Sequence, residues 1–316
     1  MPRCNLQKVR YRFQPWQLAV LLVLVCVGAI GGAYVYKSSG VYNAGEMASY
    51  LPLGTGALVY IDVDSLRNSG LLDAIAGDKA SEETEYQSFV NETAFDYKED
   101  LNAVVALFRP DQVFMILRGR FDWKRLIAYV DHHGGACVNN FCSAPGSRPE
   151  RKISFYPIRS NIMAMAVSAD SWAAYQIARK SGKLPVSPPS APVWAVLTGP
   201  ALRNFSQLPA GTQSFATALA SADQMVFTAG PKDDHLELAV HVTCQNPEKA
   251  SALAAQLETT TDTLRKWLAR EKKTPNPSDL SGVLTAGSFR QDNRDVFGAW
   301  PIQRSFLENI AGGPNQ

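Results

Sequence analysis

"ALVYIDVDSLRNS" (57–69) and "PVWAVLTGPALRNF" (192–205) repeat one plan at two places in a 316-residue chain. Each is a run of apolar strand formers, then a small or polar break, then Leu-Arg-Asn. In the first copy Val59, Ile61 and Val63 alternate with Tyr60, Asp62 and Asp64. That period of two gives a strand with one apolar face. The recurrence of the pattern points to two related units.

The flanking sequence supports the same division. After the first copy, Leu66, Leu71, Leu72 and Ile75 predict a short helix, and residues 78–100, with eight acidic and two basic side chains, read as a solvated excursion. "LNAVVALF" and "QVFMILRGRF" then flank "RPD", a hairpin signal. "DWKRLIAYVDHH" is an amphipathic helix capped by Asp122 and burying Leu126, Ile127 and Val130. "KISFYPIRS" and "NIMAMAVSA" supply strands, and "DSWAAYQIARKSG" predicts a closing helix stopped at Gly182. Beyond the second copy, "QMVFTAGPKDDHLELAVHVTC" is a second hairpin. A long helix follows from Asn246 as N-cap and Pro247, with the stripe Ala250, Leu253, Leu257, Leu264 and Leu268. A last hairpin and a short helix carrying Phe306, Leu307 and Ile310 end the pattern. Four prolines in "KLPVSPPSAPV" (183–193) make an extended linker between the halves.

Ahead of both halves lies "WQLAVLLVLVCVGAIGGAYVY", Trp16 to Tyr36, without a charge. As a helix its 21 residues span about 31 Å, enough for a hydrocarbon core of ~30 Å. Trp16 and Tyr36 sit at the ends, where amphipathic rings favour the headgroups. Arg3, Lys8, Arg10 and Arg12 precede the span, and Lys37 alone follows it closely. The positive-inside rule then keeps residues 1–15 in the cytoplasm and puts the bulk of the chain outside. The run is longer than the core of a cleaved signal peptide and has no clean small-residue cleavage motif, so an uncleaved anchor is the reading adopted. The remainder carries 26 basic and 29 acidic residues, and this balance argues against a nucleic-acid partner, which needs a basic face.

An outside location makes disulfides the default for paired cysteines. In "CVNNFC" (137–142), Asn139-Asn140 suits a two-residue turn with positive φ. Val138 then pairs with Phe141, and Cys137 faces Cys142 at a non-hydrogen-bonded position, where Cα atoms lie about 4.5 Å apart. A structural disulfide is the expectation. A zinc site from His132, His133, Cys137 and Cys142 matches no standard ligand spacing, and a redox-active pair lacks the C-x-x-C helix start. Cys244 is left as a buried free thiol and Cys4 as a cytoplasmic one.

The expected fold is therefore α+β. A basic tail (1–15), a single transmembrane helix (16–36) and a spacer (37–50) precede two related strand–helix–hairpin–helix halves (51–182 and 194–312) with largely antiparallel sheets. "LPLGTGALVYIDV", "RGRFDW" before a helix, and "VFGAWPI" together with the anchor resemble a family of uncharacterised bacterial envelope proteins. The resemblance implies one transmembrane helix, a duplicated α+β ectodomain and a bacterial source. It brings no catalytic residue with it.

Signatures of catalysis are missing from the sequence: no G-x-S-x-G, P-loop, H-E-x-x-H or G-x-G-x-x-G occurs. No catalytic, cofactor or metal residue is assigned. Asp62 and Asp64 could hold a cation or act as an acid–base pair, but edge and capping roles explain them. His235 and His241 fall in the second hairpin. The function expected is non-catalytic binding or scaffolding of envelope components through a protein partner. A small-molecule or lipid module with its site between the halves is the alternative, and an unrecognised hydrolase the third. A polar cleft at Asp62 would favour the hydrolase, a closed pocket at the junction the ligand module, and open apolar patches the binding protein.

Overall fold

The computed structural model describes residues 43–76, 84–146, 148, 150–177, 184, 187–202, 222–232 and 235–311. In the first half the order is α1 (Ala44–Ala48), β1 (Ala57–Asp62), α2 (Val63–Asn68), α3 (Leu71–Ala76), α4 (Thr84–Thr93) and α5 (Tyr97–Asp100). Then come β2 (Leu101–Phe108), β3 (Val113–Gly119), α6 (Trp123–His132), β4 (Ala136–Val138), β5 (Phe141–Pro145), β6 (Lys152–Arg159), β7 (Ile162–Ser168) and a 3-10 turn, Ala173–Ile177. The second half has β8 (Val193–Thr198), α7 (Gly199–Leu202), β9 (Ala222–Lys232), β10 (His235–Cys244) and α8 (Pro247–Arg270). It ends with α9 (Leu280–Thr285), β11 (Ser288–Asp292), β12 (Asp295–Ile302) and α10 (Arg304–Ala311).

All the strands join one twelve-stranded antiparallel sheet, ordered β11-β12-β10-β9-β8-β1-β2-β3-β7-β6-β5-β4. From the middle outward the two halves match: β1-β2-β3-β7-β6 on one side, β8-β9-β10-β12-β11 on the other. The two opening strands are neighbours at the centre, with Val59 opposite Ala195. The β4–β5 hairpin extends the first half alone, inserted between α6 and β6.

Cross-strand partners share a face of a pleated sheet. One row runs Cys142–Phe155–Met165–Met115–Ala106–Val59–Ala195–Phe227–Val240–Gly298–Phe289. Helices cover this side. Leu126 and Val130 of α6 pack on Cys142, Phe155 and Met163. On α8, Leu253 and Leu257 pack on Val242 and Val296, and on α10 Phe306 and Leu307 pack on Leu236 and Ile302. Each such buried side chain contributes roughly 1.5–3 kcal/mol. The helix starts follow their caps: Arg125 N donates to Asp122 at 3.1 Å and Lys249 N to Asn246 at 2.9 Å.

The opposite row runs Ser143–Ser154–Ala166–Phe114–Leu107–Leu58–Val196–Val226–His241–Phe297–Arg290. Its middle is buried, with Phe114, Leu107 and Val196 almost fully enclosed. Its ends are open.

Three expectations need correction. β1 stops at Asp62, so Val63 and Asp64 belong to a helix, and Tyr60 is buried against Trp194 (ring centroids 5.4 Å apart) instead of facing water. The acidic excursion contains α4 and α5; Phe89 packs against Tyr129 and Phe95 stacks on Phe121, so its charges form an outer face over an aromatic contact. Within the helix expected at 170–182, residues 173–177 form a 3-10 turn. The anchor span and its flanks Arg10, Arg12, Trp16, Tyr36 and Lys37 lie outside the described residues, as do Asp233 and Asp234 of the second hairpin's turn. Among the described residues no helix is long and apolar enough to cross a membrane.

Candidate functional site

The Asp62–Asp64 neighbourhood is structural. The Asp62 carboxylate caps α2 by accepting from Ser65 N at 3.1 Å. Arg67 donates to Asp64 Oδ1 at 2.6 Å and to the Leu101 carbonyl, and Asn102 donates to Asp64 Oδ2 at 2.6 Å. Both carboxylates are thus committed to a cap and a helix–strand tie. At the junction between the halves, Tyr60 and Trp194 fill the space, and burial with the nearby Asp62 charge pushes the Tyr60 hydroxyl up to about 12. Two troughs open at the two ends of the face opposite the helices, while a smaller hollow of about 210 Å³ lies between the halves on the helix side, lined by Ser69, Gly70 and Leu71 with His235, Leu236, Arg304 and Leu307.

The first trough, about 400 Å³, lies on β9–β12 and is lined by Val226, Ala239, His241, Phe297 and Arg290. His241 stacks on Phe297 (4.5 Å, 12° between planes), and the Arg290 guanidinium lies over the same ring at 4.5 Å. His241 Nε2 donates to Asp295 Oδ1 at 2.8 Å, and the Thr243 hydroxyl donates to the same oxygen at 2.8 Å. Burial raises the Asp295 pKa, but these hydrogen bonds outweigh it and hold the carboxyl below its ordinary range. A His–Asp pair needs a nucleophile within reach to act in acyl transfer. Two hydroxyls line this trough: Thr228 sits one strand across and two residues along from His241, about 8 Å away at standard sheet spacings, and Ser288 two strands across and two along, about 12 Å away. The trough has an aromatic floor with a guanidinium and an imidazole at one side.

The second trough, also about 400 Å³, lies at the opposite end over β4 and β5 and is lined by Val138, Phe141, Ser143, Lys152, Ser171 and Trp172. Its wall is the cysteine hairpin. Val138 pairs with Phe141 and Cys137 with Cys142, the disulfide is formed, and the Cα atoms are 4.1 Å apart. Asn139 and Asn140 take φ of 50° and 65°, the left-handed values that a type I′ turn requires. Cys142 is buried on the helix side under α6, which turns Phe141 to the open side. His133 joins neither cysteine; its Nε2 donates to Glu92 at 3.2 Å while its ring stacks on Tyr129. Among the described residues no group of three or more His, Cys, Asp and Glu side chains converges as a metal site. Cys244 is free and buried, which raises its thiol pKa.

Above Phe141 lies an aromatic layer that sequence reasoning missed. Trp172 and Tyr175 stack on Phe141 at 5.0 and 4.2 Å, with planes within 20° and 10°. Tyr156 adds a fourth ring beside them, and burial pushes its hydroxyl up to about 12. The segment is tied down: Trp172 N donates to Asp170 Oδ1 at 2.9 Å, and Ala174 N to Ser154 Oγ at 3.1 Å. The sequence signal was the pair Trp172 and Tyr175 itself, spaced as on a helix face and absorbed there into an ordinary amphipathic pattern.

Comparison with known proteins returns shape alone. No family model and no curated protein matches the chain. Among solved structures, crystal form I of TP0453 is similar over 85% of this chain and 98% of its own, with a TM-score of 0.47 and 10% identity. Crystal forms III and IV of TP0453 give TM-scores of 0.44 and 0.43, at 9% and 11% identity, covering 84% and 87% of this chain and 97% and 100% of theirs. Likeness at that level bears on neither family nor function.

Proposed function

We propose that the protein is anchored in the bacterial inner membrane by residues 16–36 and acts outside the cytoplasm as a non-catalytic binding protein for other envelope components. One observation carries the binding role: a sheet face that is enclosed in the middle and open at both ends, where aromatic and aliphatic side chains stay partly exposed. Exposed apolar surface of that kind marks contact sites. The Cys137–Cys142 disulfide supports an oxidising compartment. The charge-free span with its basic leading end supports the direction of insertion.

The test is recovery of the full chain from native membranes in mild detergent, as wild type and as a Phe297→Ser/Arg290→Glu double variant. A partner that co-purifies with wild type and is lost from the variant is the expected result. Wild type running alone contradicts the proposal. The Arg290 and His241 side of the first trough favours a second reading, a small amphipathic anion as ligand; extraction of a bound metabolite from partner-free protein would select it.

A further inference from the structure

The geometry of the aromatic layer points to a ligand class, and this inference rests on the binding role just proposed while naming what one trough binds. Trp172 and Tyr175 are each 53% exposed, whereas Phe141 beneath them is 3% exposed. Rings on opposite faces of Phe141 would have centroids about 7 Å apart, two contacts of ~3.5 Å. Those of Trp172 and Tyr175 are 5.8 Å apart with planes 10° from parallel, so both lie on the same side of Phe141. The result is a pair of half-exposed, near-parallel rings backed by a buried phenyl ring.

We propose that Trp172 and Tyr175 form a carbohydrate-binding platform for a saccharide chain, with the adjoining trough taking its hydroxyl and acetamido groups. The C–H bonds on one face of a pyranose ring are apolar and weakly positive, and they meet the negative face of an aromatic ring favourably. Hydroxyls around the sugar's rim need donors and acceptors, which the trough has beside the platform in Ser143, Ser171 and Lys152. More come from the backbone. Cys137 occupies a non-hydrogen-bonded position opposite Cys142, so its N–H and C=O point away from β5 to the outer side of edge strand β4. A bilayer surface fits less well, because inserting side chains protrude, whereas each of these rings has a face packed on Phe141. An added peptide strand fits less well too, since β4 has three residues and a single one with outward backbone groups.

The experiment uses the full chain in a polyoxyethylene detergent, because sugar-headed detergents would compete. The N-acetylglucosamine trimer and maltotriose are titrated while tryptophan emission is followed, and the Trp172→Phe spectrum serves to isolate the Trp172 signal. A saturable shift with at least one trisaccharide is expected, weakened roughly tenfold by Trp172→Ala and by Tyr175→Ala and less by Trp172→Phe. No shift up to the solubility of either sugar overturns the platform, and so does binding that both alanine variants retain. Quenching of the Trp172 signal by vesicles of acyl-brominated phosphatidylcholine also overturns it, in favour of a bilayer contact. A chain facing the cytosol would sink the envelope role and leave this titration standing; a null titration on an exported chain would sink the platform alone.

Discussion

Asp295 is where a single residue's chemistry can be read out most directly. Its folded pKa is depressed, so the stability it contributes is complete above the unfolded value near ~3.9 and is lost as pH falls through the folded one. Asp295→Asn should cost about 1 kcal/mol in urea unfolding at neutral pH, and the gap to wild type should narrow at about pH 3. An equal gap at both pH values would contradict the assignment. The disulfide closes a short loop, and Cys137→Ser/Cys142→Ser should lower stability by about 2 kcal/mol. Thiol labelling of the unfolded chain should gain two sites on prior reduction, while in the folded chain Cys244 stays protected. The hairpin was legible from its own six residues because turn chemistry and pairing are local. The stack on Phe141 was not, because it joins β5 to a segment some thirty residues later, and only the fold brings them together.

Individual elements were legible where a cap, a period and a stop agreed. Helix α8 starts behind Asn246 as its sequence demands, and the β2–β3 turn at Arg109–Gln112 closes through the Arg109 N to Gln112 carbonyl bond at 2.9 Å. Helix α4 was obscured because it lies in an acid-rich stretch and its inward side, Tyr86, Phe89 and Thr93, mixes polar with apolar residues. Asp64 was misplaced because alternation continues past the point where Asp62 starts a helix. In α9, Gly282 makes a close approach that no propensity reveals: a Cβ there would lie 2.2 Å from the Asn276 carbonyl oxygen. Gly282→Ala gains about 1 kcal/mol of helix propensity. The clash is with backbone that cannot swing aside, at a cost of about 1–3 kcal/mol. The variant should therefore melt below wild type; an unchanged or raised Tm would mean that the 276–277 turn yields freely.

At the scale of the whole molecule, the strands of the two repeated stretches are the two central ones, β1 and β8. The repeat did not anticipate that both halves would share one sheet, because edge pairing between β1 and β8 depends on backbone and leaves no periodic trace. Nor did it place the open troughs at the sheet's ends, since burial of Tyr60 and Trp194 at the centre is a product of that pairing. The envelope role depends on which side of the membrane this sheet occupies. Fusing the C-terminus to a reporter that is active only after export, and in parallel to one active only in the cytosol, tests it directly. The account predicts activity from the exported reporter and silence from the cytosolic one; the reverse pattern would contradict it.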